Sequence, residues 1–96
     1  MKVVIKKSTN KDKKYMAIFY DGEKKVKTTH FGASGYTDFI KSGGDEKKKK
    51  AYLDRHRVNE NWNDYTSAGS LSRWILWNKK SLSASIADYK KRFKLN

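Results

Sequence analysis

The stretch KYMAIFYDG, residues 14–22, decides the fold because a strand pattern leads directly into a hairpin signal. Side chains alternate between the two faces of a strand, and here both faces are apolar. One face carries Tyr15, Ala17 and Phe19, and the other carries Met16, Ile18 and Tyr20. A strand of this kind is typical of the centre of a sheet covered on both sides. The Asp21-Gly22 pair that follows favours a hairpin, because both residues tolerate positive φ.

Two further strands are predicted, one on each side of this segment. In the first, Val3 and Ile5 share an apolar face, and the polar cluster at residues 8–12 forms a turn. In the third, alternation predicts one face with Val26, Thr28 and His30 and another with Lys25, Lys27 and Thr29. The prediction is a three-stranded antiparallel meander with a lysine-rich face, its strands at about residues 2–7, 14–20 and 24–31.

The rest of the chain predicts three short helices, at about residues 45–58, 70–78 and 81–94. Asp45 and Ser81 are N-cap candidates, because their side-chain oxygens can accept hydrogen bonds from the first free N–H groups of a helix. The side chains expected to face the core are Tyr52, Leu53 and His56 in the first helix, Leu71, Trp74 and Ile75 in the second, and Leu82, Ile86, Tyr89 and Phe93 in the third. Trp77 lies outside the core-facing side predicted for the second helix. The predicted fold is therefore a single α+β domain over residues 1–96.

Composition narrows the classes of function. The chain has 96 residues, with 23 Lys or Arg against 10 Asp or Glu and a formal charge of +13. It has no apolar run of the ~20 residues that a membrane-spanning helix needs, and we expect no signal peptide. Its lack of Cys excludes disulfides and thiolate metal sites. The aromatic content of 14% favours a folded domain over a disordered chain.

Enzymatic and metal-binding chemistry is not expected. The two histidines, His30 and His56, are too few for a structural zinc site, which needs about four ligands. The carboxylates available to a magnesium-dependent nuclease match no known spacing; they are Asp38, Asp54, Glu60 and Asp64. The GASG stretch at residues 32–35 lacks the Gly-Lys-Ser/Thr ending of a phosphate loop. We therefore predict a non-enzymatic protein without metal or cofactor.

The basic residues indicate an anionic partner. A high net charge repels itself in a compact fold, and binding to a polyanion relieves that repulsion. Because 19 of the 23 cations are Lys, we expect point-charge contacts without base reading. The predicted polyanion-binding residues are Lys25, Lys27, Lys47, Lys48, Lys49, Lys50, Arg55, Arg57, Arg73, Lys79, Lys80, Lys90, Lys91 and Arg92. The predicted interface or stacking aromatics are Tyr36, Phe39, Trp62 and Trp77.

Five stretches resemble a family of small basic proteins found in large double-stranded DNA viruses. They are VKTTHFGASGYTDF (26–39), YLDRH (52–56), ENW (60–62), AGSLSRWILWNK (68–79) and SIADYKKRF (85–93). The resemblance implies a viral setting and assigns no catalytic residue. The chain departs from the family after Asp38, where Phe39-Ile40 and Ser42-Gly43-Gly44 replace the Tyr-Thr and His-Lys-Asp that the family often has.

Two functions follow as expectations. The first is a virion structural protein, either a minor capsid protein or an internal component, that binds acidic shell proteins or the packaged genome. The second is a free nucleic-acid-binding protein without sequence specificity, acting in genome condensation or replication. The corresponding locations are the virion and, during infection, the host cytoplasm or nucleus.

Overall fold

The computed structural model describes residues 1–96 and begins with a three-stranded antiparallel sheet. The strands are β1 (Lys2–Lys7), β2 (Lys13–Asp21) and β3 (Lys24–Ala33), in the order β1-β2-β3. The doubly apolar segment is therefore the central strand. Three helical segments follow the sheet, so the predicted α+β class is confirmed.

The turn between β2 and β3 lies one residue later than the Asp21-Gly22 pair that the sequence predicts. Asp21 is the last residue of β2 and pairs with Lys24, which leaves Gly22 and Glu23 as the two-residue loop. Gly22 has a φ of 63°, whereas Glu23 keeps a negative φ. A glycine at the first loop position is what a type II′ turn requires.

A β-bulge changes the predicted faces of β3. Phe19 pairs with Lys27 and Tyr20 with Lys25, so Val26 is the extra residue. The bulge places Lys25 and Lys27 on opposite faces of the sheet. The predicted face that holds both lysines is therefore not formed. Lys27 lies on the helix side, where its Nζ donates to Thr66 Oγ1 at 3.1 Å.

The helices pack on one face of the sheet. The helices are α1 (Glu46–His56), α2 (Ala68–Leu71), which continues as a π-helical turn at Ser72–Leu76, and α3 (Leu82–Arg92). The shared core consists of Val3, Ala17, Phe19, Phe31, Phe39, Tyr52, Leu71, Ile75, Leu76, Trp77 and Tyr89. On the other face, Met16 and Ile18 are also buried but belong to no core cluster. The central strand is thus covered by a helical layer on one side only.

The predicted N-caps are both formed. Asp45 accepts hydrogen bonds from the backbone N–H groups of Lys47 and Lys48 at 3.0 and 3.2 Å. Ser81 accepts one from Ala84 at 3.2 Å. Each cap satisfies backbone donors that have no partner inside the helix.

The π-helical turn brings Trp77 into the core. The N–H of Trp77 donates to the carbonyl of Ser72 at 3.0 Å, a bond that spans five residues. The extra residue in the turn lets the consecutive side chains of Ile75, Leu76 and Trp77 all be buried. A regular α-helix, which sequence periodicity assumes, would turn Trp77 away from the stripe.

The chain ends meet at the edge of β1. The N–H of Val3 donates to the carbonyl of Asn96, and the N–H of Asn96 donates to the carbonyl of Met1, each at 3.1 Å. Lys94 has a φ of 55° and reverses the chain after α3. The last residues therefore satisfy part of the open edge of the sheet.

Gly32 and Gly22 form a matched pair for a stability test. Both have positive φ, but a Cβ on Gly32 would lie 2.6 Å from Leu76 Cδ1, whereas one on Gly22 would meet nothing within 4 Å. We expect Gly22→Ala to lower the free energy of unfolding by about 1 kcal/mol through backbone strain. Gly32→Ala should lower it by about 2–4 kcal/mol, because overpacking is added to that strain. Urea denaturation measures both losses, and equal losses would contradict the close approach of β3 to Leu76.

Tyr89 provides a second test, because its hydroxyl donates to the Tyr65 carbonyl at 2.6 Å inside the core. Burial raises the pKa of this phenol, followed by the effects of Tyr65 and Asp64. Tyr89→Phe should lower the free energy of unfolding by about 1–3 kcal/mol, since the Tyr65 carbonyl loses its hydrogen-bond donor. Tyr36→Phe is the control: that side chain is 72% exposed, and its loss of a hydroxyl should change stability by less than about 0.5 kcal/mol. Thermal unfolding of the two variants gives the comparison.

Candidate functional site

The cations of α1 and Arg57, the residue that follows the helix, fall into two groups. Five side chains are exposed: Lys47, Lys48, Lys50, Arg55 and Arg57. Lys50 pairs with Asp54 at 2.6 Å, and this hydrogen bond is the main reason that the pKa of Asp54 is lowered. The other four have no carboxylate within 4.0 Å. They remain free to contact an anion.

Lys49 departs from its predicted role. Its Nζ donates to the carbonyl of Asn78 at 2.9 Å and lies 4.7 Å from the ring centre of Phe39. Burial lowers the pKa of Lys49, and Arg73 adds to the effect. Its ammonium group therefore joins α1 to the segment before α3 instead of standing free for a polyanion.

Arg73 also serves the fold. Its guanidinium donates to the carbonyl of Trp77 at 2.8 Å and lies 4.1 Å from the ring centre of Trp74 and 5.5 Å from that of Trp62. Burial is the main cause of its lowered pKa, with Arg92 second. Arg92 covers Trp74 as well, at 3.7 Å. Cation–π contacts of this kind hold a cation against an aromatic ring. Arg73 was predicted to bind a polyanion, but its guanidinium is engaged within the fold.

The other predicted cations are dispersed. Lys25, Lys79, Lys80 and Lys91 are exposed, and Lys90 is half-buried. Lys25 lies at the hairpin end of β3. Lys79 and Lys80 lie between the π-helical turn and α3, and Lys90 and Lys91 lie on α3. The fold does not collect these residues into one site.

The four predicted aromatics have different environments. Tyr36 is 72% exposed, and Trp62 is half-buried with its Nε1 donating to Glu60 at 2.9 Å. Phe39 and Trp77 are buried, at 2% and 8% exposure, and belong to the core. The structure therefore corrects the prediction for these two, because their rings are covered by the chain itself and offer no stacking surface.

A stack of three rings occupies the contact between α1 and the π-helical turn. Tyr52 lies between Trp77, at 4.6 Å between ring centres, and His56, at 4.3 Å. His56 Nδ1 is 3.1 Å from Glu60 Oε1, while the other oxygen of Glu60 accepts the Trp62 bond. Burial, followed by the Glu60 charge, raises the pKa of Tyr52. We call Trp77, Tyr52 and His56 the aromatic column.

A groove of about 720 Å³ lies beside the aromatic column. Its walls come from α1, the start of α2, the end of β3 and the loop at residues 34–38. Four predicted site residues line it, namely Tyr36, Lys48, Arg55 and Trp77. Its volume is within the ~300–1,000 Å³ that ligand-binding clefts occupy. We refer to it as the α1–β3 groove.

The Lys14–Asp38 ion pair forms one end of the groove. Lys14 Nζ lies 2.6 Å from Asp38 Oδ2, and their side chains are only 15% and 6% exposed. Asp38 Oδ1 also accepts a hydrogen bond from the N–H of Lys41 at 2.7 Å. A second depression, on the other side of the loop, shares Lys13 and this pair with the groove and adds Lys7, Lys11 and Lys41. The ion pair thus anchors the loop between two basic depressions.

Sequence reasoning missed the groove and the Lys14–Asp38 pair. The two residues are 24 positions apart in the sequence. Asp38 was considered as one of four carboxylates for a magnesium site and not as the partner of a lysine. The one available signal was the position of Asp38 inside a glycine-rich and aromatic loop. An Asp side chain in a turn often accepts a hydrogen bond from a nearby backbone N–H.

The structure contains no metal-binding arrangement of three or more His, Asp or Glu side chains. His30 contacts Ser8 Oγ at 2.7 Å, whereas His56 belongs to the aromatic column. None of the helices has both the length and the apolar composition that a membrane crossing requires.

Comparisons with known proteins add a family and no function. No curated protein and no solved structure matches the chain. A family model described as a family of unknown function (DUF5754) matches residues 3–56, which cover the sheet, the loop and α1. The matched residues are more than half of the chain. This protein therefore belongs to the DUF5754 family of unknown function.

Proposed function

We propose that this protein is a non-enzymatic structural component of a virus particle, a minor capsid or internal protein that adheres to acidic shell proteins or to the packaged genome. The observation that carries the proposal is the unpaired charge. Of the 23 Lys and Arg residues, only Lys14, Lys50 and Arg92 lie within 4.0 Å of a carboxylate. The remaining cations need counterions, which an anionic partner would supply.

The state of the carboxylates supports a non-enzymatic role. Asp38 is held by Lys14, and Asp54 by Lys50. Glu60 bridges His56 and Trp62, and Asp64 accepts bonds from Thr66. Each acidic group that the sequence offered for metal or acid–base chemistry thus has a partner within the fold.

The viral setting rests on the resemblance of residues 26–93 to small basic viral proteins. A role in assembly agrees with the distribution of the free cations over the sheet, α1 and α3, because a protein embedded among partners is contacted from several sides. Binding through dispersed lysines would be insensitive to base sequence.

The second candidate is a free nucleic-acid-binding protein. The observation that favours it is Tyr36, a 72% exposed ring that lines the α1–β3 groove together with Lys13 and Lys48. Such a ring can stack on an unpaired base while lysines contact the phosphates. This role would place the protein in the host cytoplasm or nucleus during infection rather than in the finished particle.

Polyanion binding is tested by its dependence on salt. We expect the protein to bind a 20-base-pair duplex and poly-glutamate, and the affinity for the duplex to fall with salt at a log–log slope of about −0.9 for each phosphate contacted. Changing Lys47 and Lys48, which have no carboxylate partner, together to Ser should reduce that slope by up to about 2. Fluorescence anisotropy at several salt concentrations measures it, and circular dichroism checks the fold. Absence of binding to both polyanions at low salt would contradict the proposal.

The structural role is tested in the particle. In particles purified from infected cells, we expect the protein at a fixed ratio to the major shell protein. We expect the same ratio in DNA-free capsids if shell proteins are its partners, and a loss from those capsids if the genome is. Quantitative mass spectrometry gives both ratios. Absence from both kinds of particle, together with nucleic-acid binding in extracts, would support the second candidate.

A further inference from the structure

The α1–β3 groove combines an apolar interior with a cationic rim. The exposed apolar groups of its interior are Ala33, Ala51, Ala68 and the ring of Tyr36, whereas Phe31, Leu76 and Trp77 also line it but are buried. Gly32 and Gly69 also line it, and the space beside them is filled by Leu76 and Glu60. A cleft of this volume has room for an apolar side chain.

The rim is positive. Lys13, Lys48 and Arg55 are exposed and have no carboxylate within 4.0 Å. The two acidic residues of the groove already have partners: Asp38 is paired with Lys14, and Glu60 is hydrogen-bonded to His56 and Trp62. Low-dielectric walls strengthen the field of the remaining cations inside a cleft. An occupant with several negative charges therefore fits this rim.

The aromatic rings of the groove argue for a peptide over a nucleic acid. Single strands gain affinity by stacking successive bases on free ring faces. Here Tyr52 lies between Trp77 and His56, so both of its faces are covered. Only Tyr36 offers an exposed ring. An apolar side chain needs no free ring face and is suited to the exposed alanines of the groove, Ala33, Ala51 and Ala68.

We propose that the α1–β3 groove binds an extended acidic peptide segment of a partner protein, with one apolar side chain in the interior and the flanking carboxylates on Lys13, Lys48 and Arg55. This assignment rests on the proposed function, because it specifies how the cationic surface engages an acidic shell protein. The dispersed lysines would attract any anion, whereas the groove would recognise a particular peptide segment.

The test uses one substitution at two places. Ala51 and Ala87 are both exposed and helical, but only Ala51 lines the groove. Ala51→Glu and Ala87→Glu therefore change the net charge equally, and only the first puts a carboxylate beside the rim. We expect Ala51→Glu to weaken peptide binding about tenfold or more through like-charge repulsion. Ala87→Glu should stay within about twofold of the unchanged protein, because its new charge lies outside the groove.

The probes are three fluorescent molecules of equal charge: a poly-glutamate peptide with one central Leu, the same peptide with Gly in place of Leu, and oligothymidylate. We expect the Leu peptide to bind about tenfold more tightly than the Gly peptide, from burial of the apolar side chain. Ala51→Glu should remove that difference. Equal affinity for the two peptides, or oligothymidylate binding that is the tightest and is lost in Ala51→Glu, would overturn the assignment.

The outcomes separate this inference from the proposed function. If both Glu variants bind all three probes equally well and with the same salt dependence, the groove assignment fails while polyanion binding stands. If the unchanged protein binds no probe at low salt, both fail. Circular dichroism verifies that the variants fold. Should Ala51→Glu unfold, the double change Lys13→Ser and Lys48→Ser gives the same comparison against Lys24→Ser and Lys25→Ser at the hairpin end of the sheet.

Discussion

The stacking of Tyr52 on Trp77 holds α1 on the rest of the molecule. The two rings lie 4.6 Å apart and are nearly parallel, at 11°. Trp77 reaches this position because the π-helical turn inserts one extra residue before it. The hydrogen bond from Lys49 to the Asn78 carbonyl fixes the same helix one turn earlier. The α1–β3 groove depends on this contact, since α1 forms one of its walls.

Several cations of the molecule pack on aromatic rings of the helical layer. Arg73 and Arg92 cover Trp74, and Lys49 covers Phe39. Placing a cation on a ring retains part of its electrostatic stabilisation and also buries the aliphatic part of the side chain. This arrangement helps a chain with few aliphatic residues to build its helical layer. It also divides the basic residues into structural cations and those that remain available to a partner.

The sequence was sufficient for elements that local patterns specify. The alternation in residues 14–20 indicated the central strand, and the side chains of Asp45 and Ser81 indicated the helix starts. It was insufficient where one residue changes the phase of a pattern. The bulge at Val26 separates Lys25 from Lys27, and the π-helical turn brings Trp77 inward. Periodicity assumes a constant repeat, so neither insertion can be read from it.

The groove lay beyond sequence reasoning for a different physical reason. It is formed where the end of β3, the loop and α1 meet, and the pair that anchors the loop joins residues 24 positions apart. Total charge predicts attraction to a polyanion but not where the attraction is strongest. In the groove, Asp38 is paired with Lys14 and Glu60 is bonded to His56 and Trp62, so neither carboxylate lies within 4.0 Å of a rim cation. An anionic occupant would reduce the repulsion among those cations, and it would stabilise the fold to the extent that it binds the folded groove more tightly than the unfolded chain.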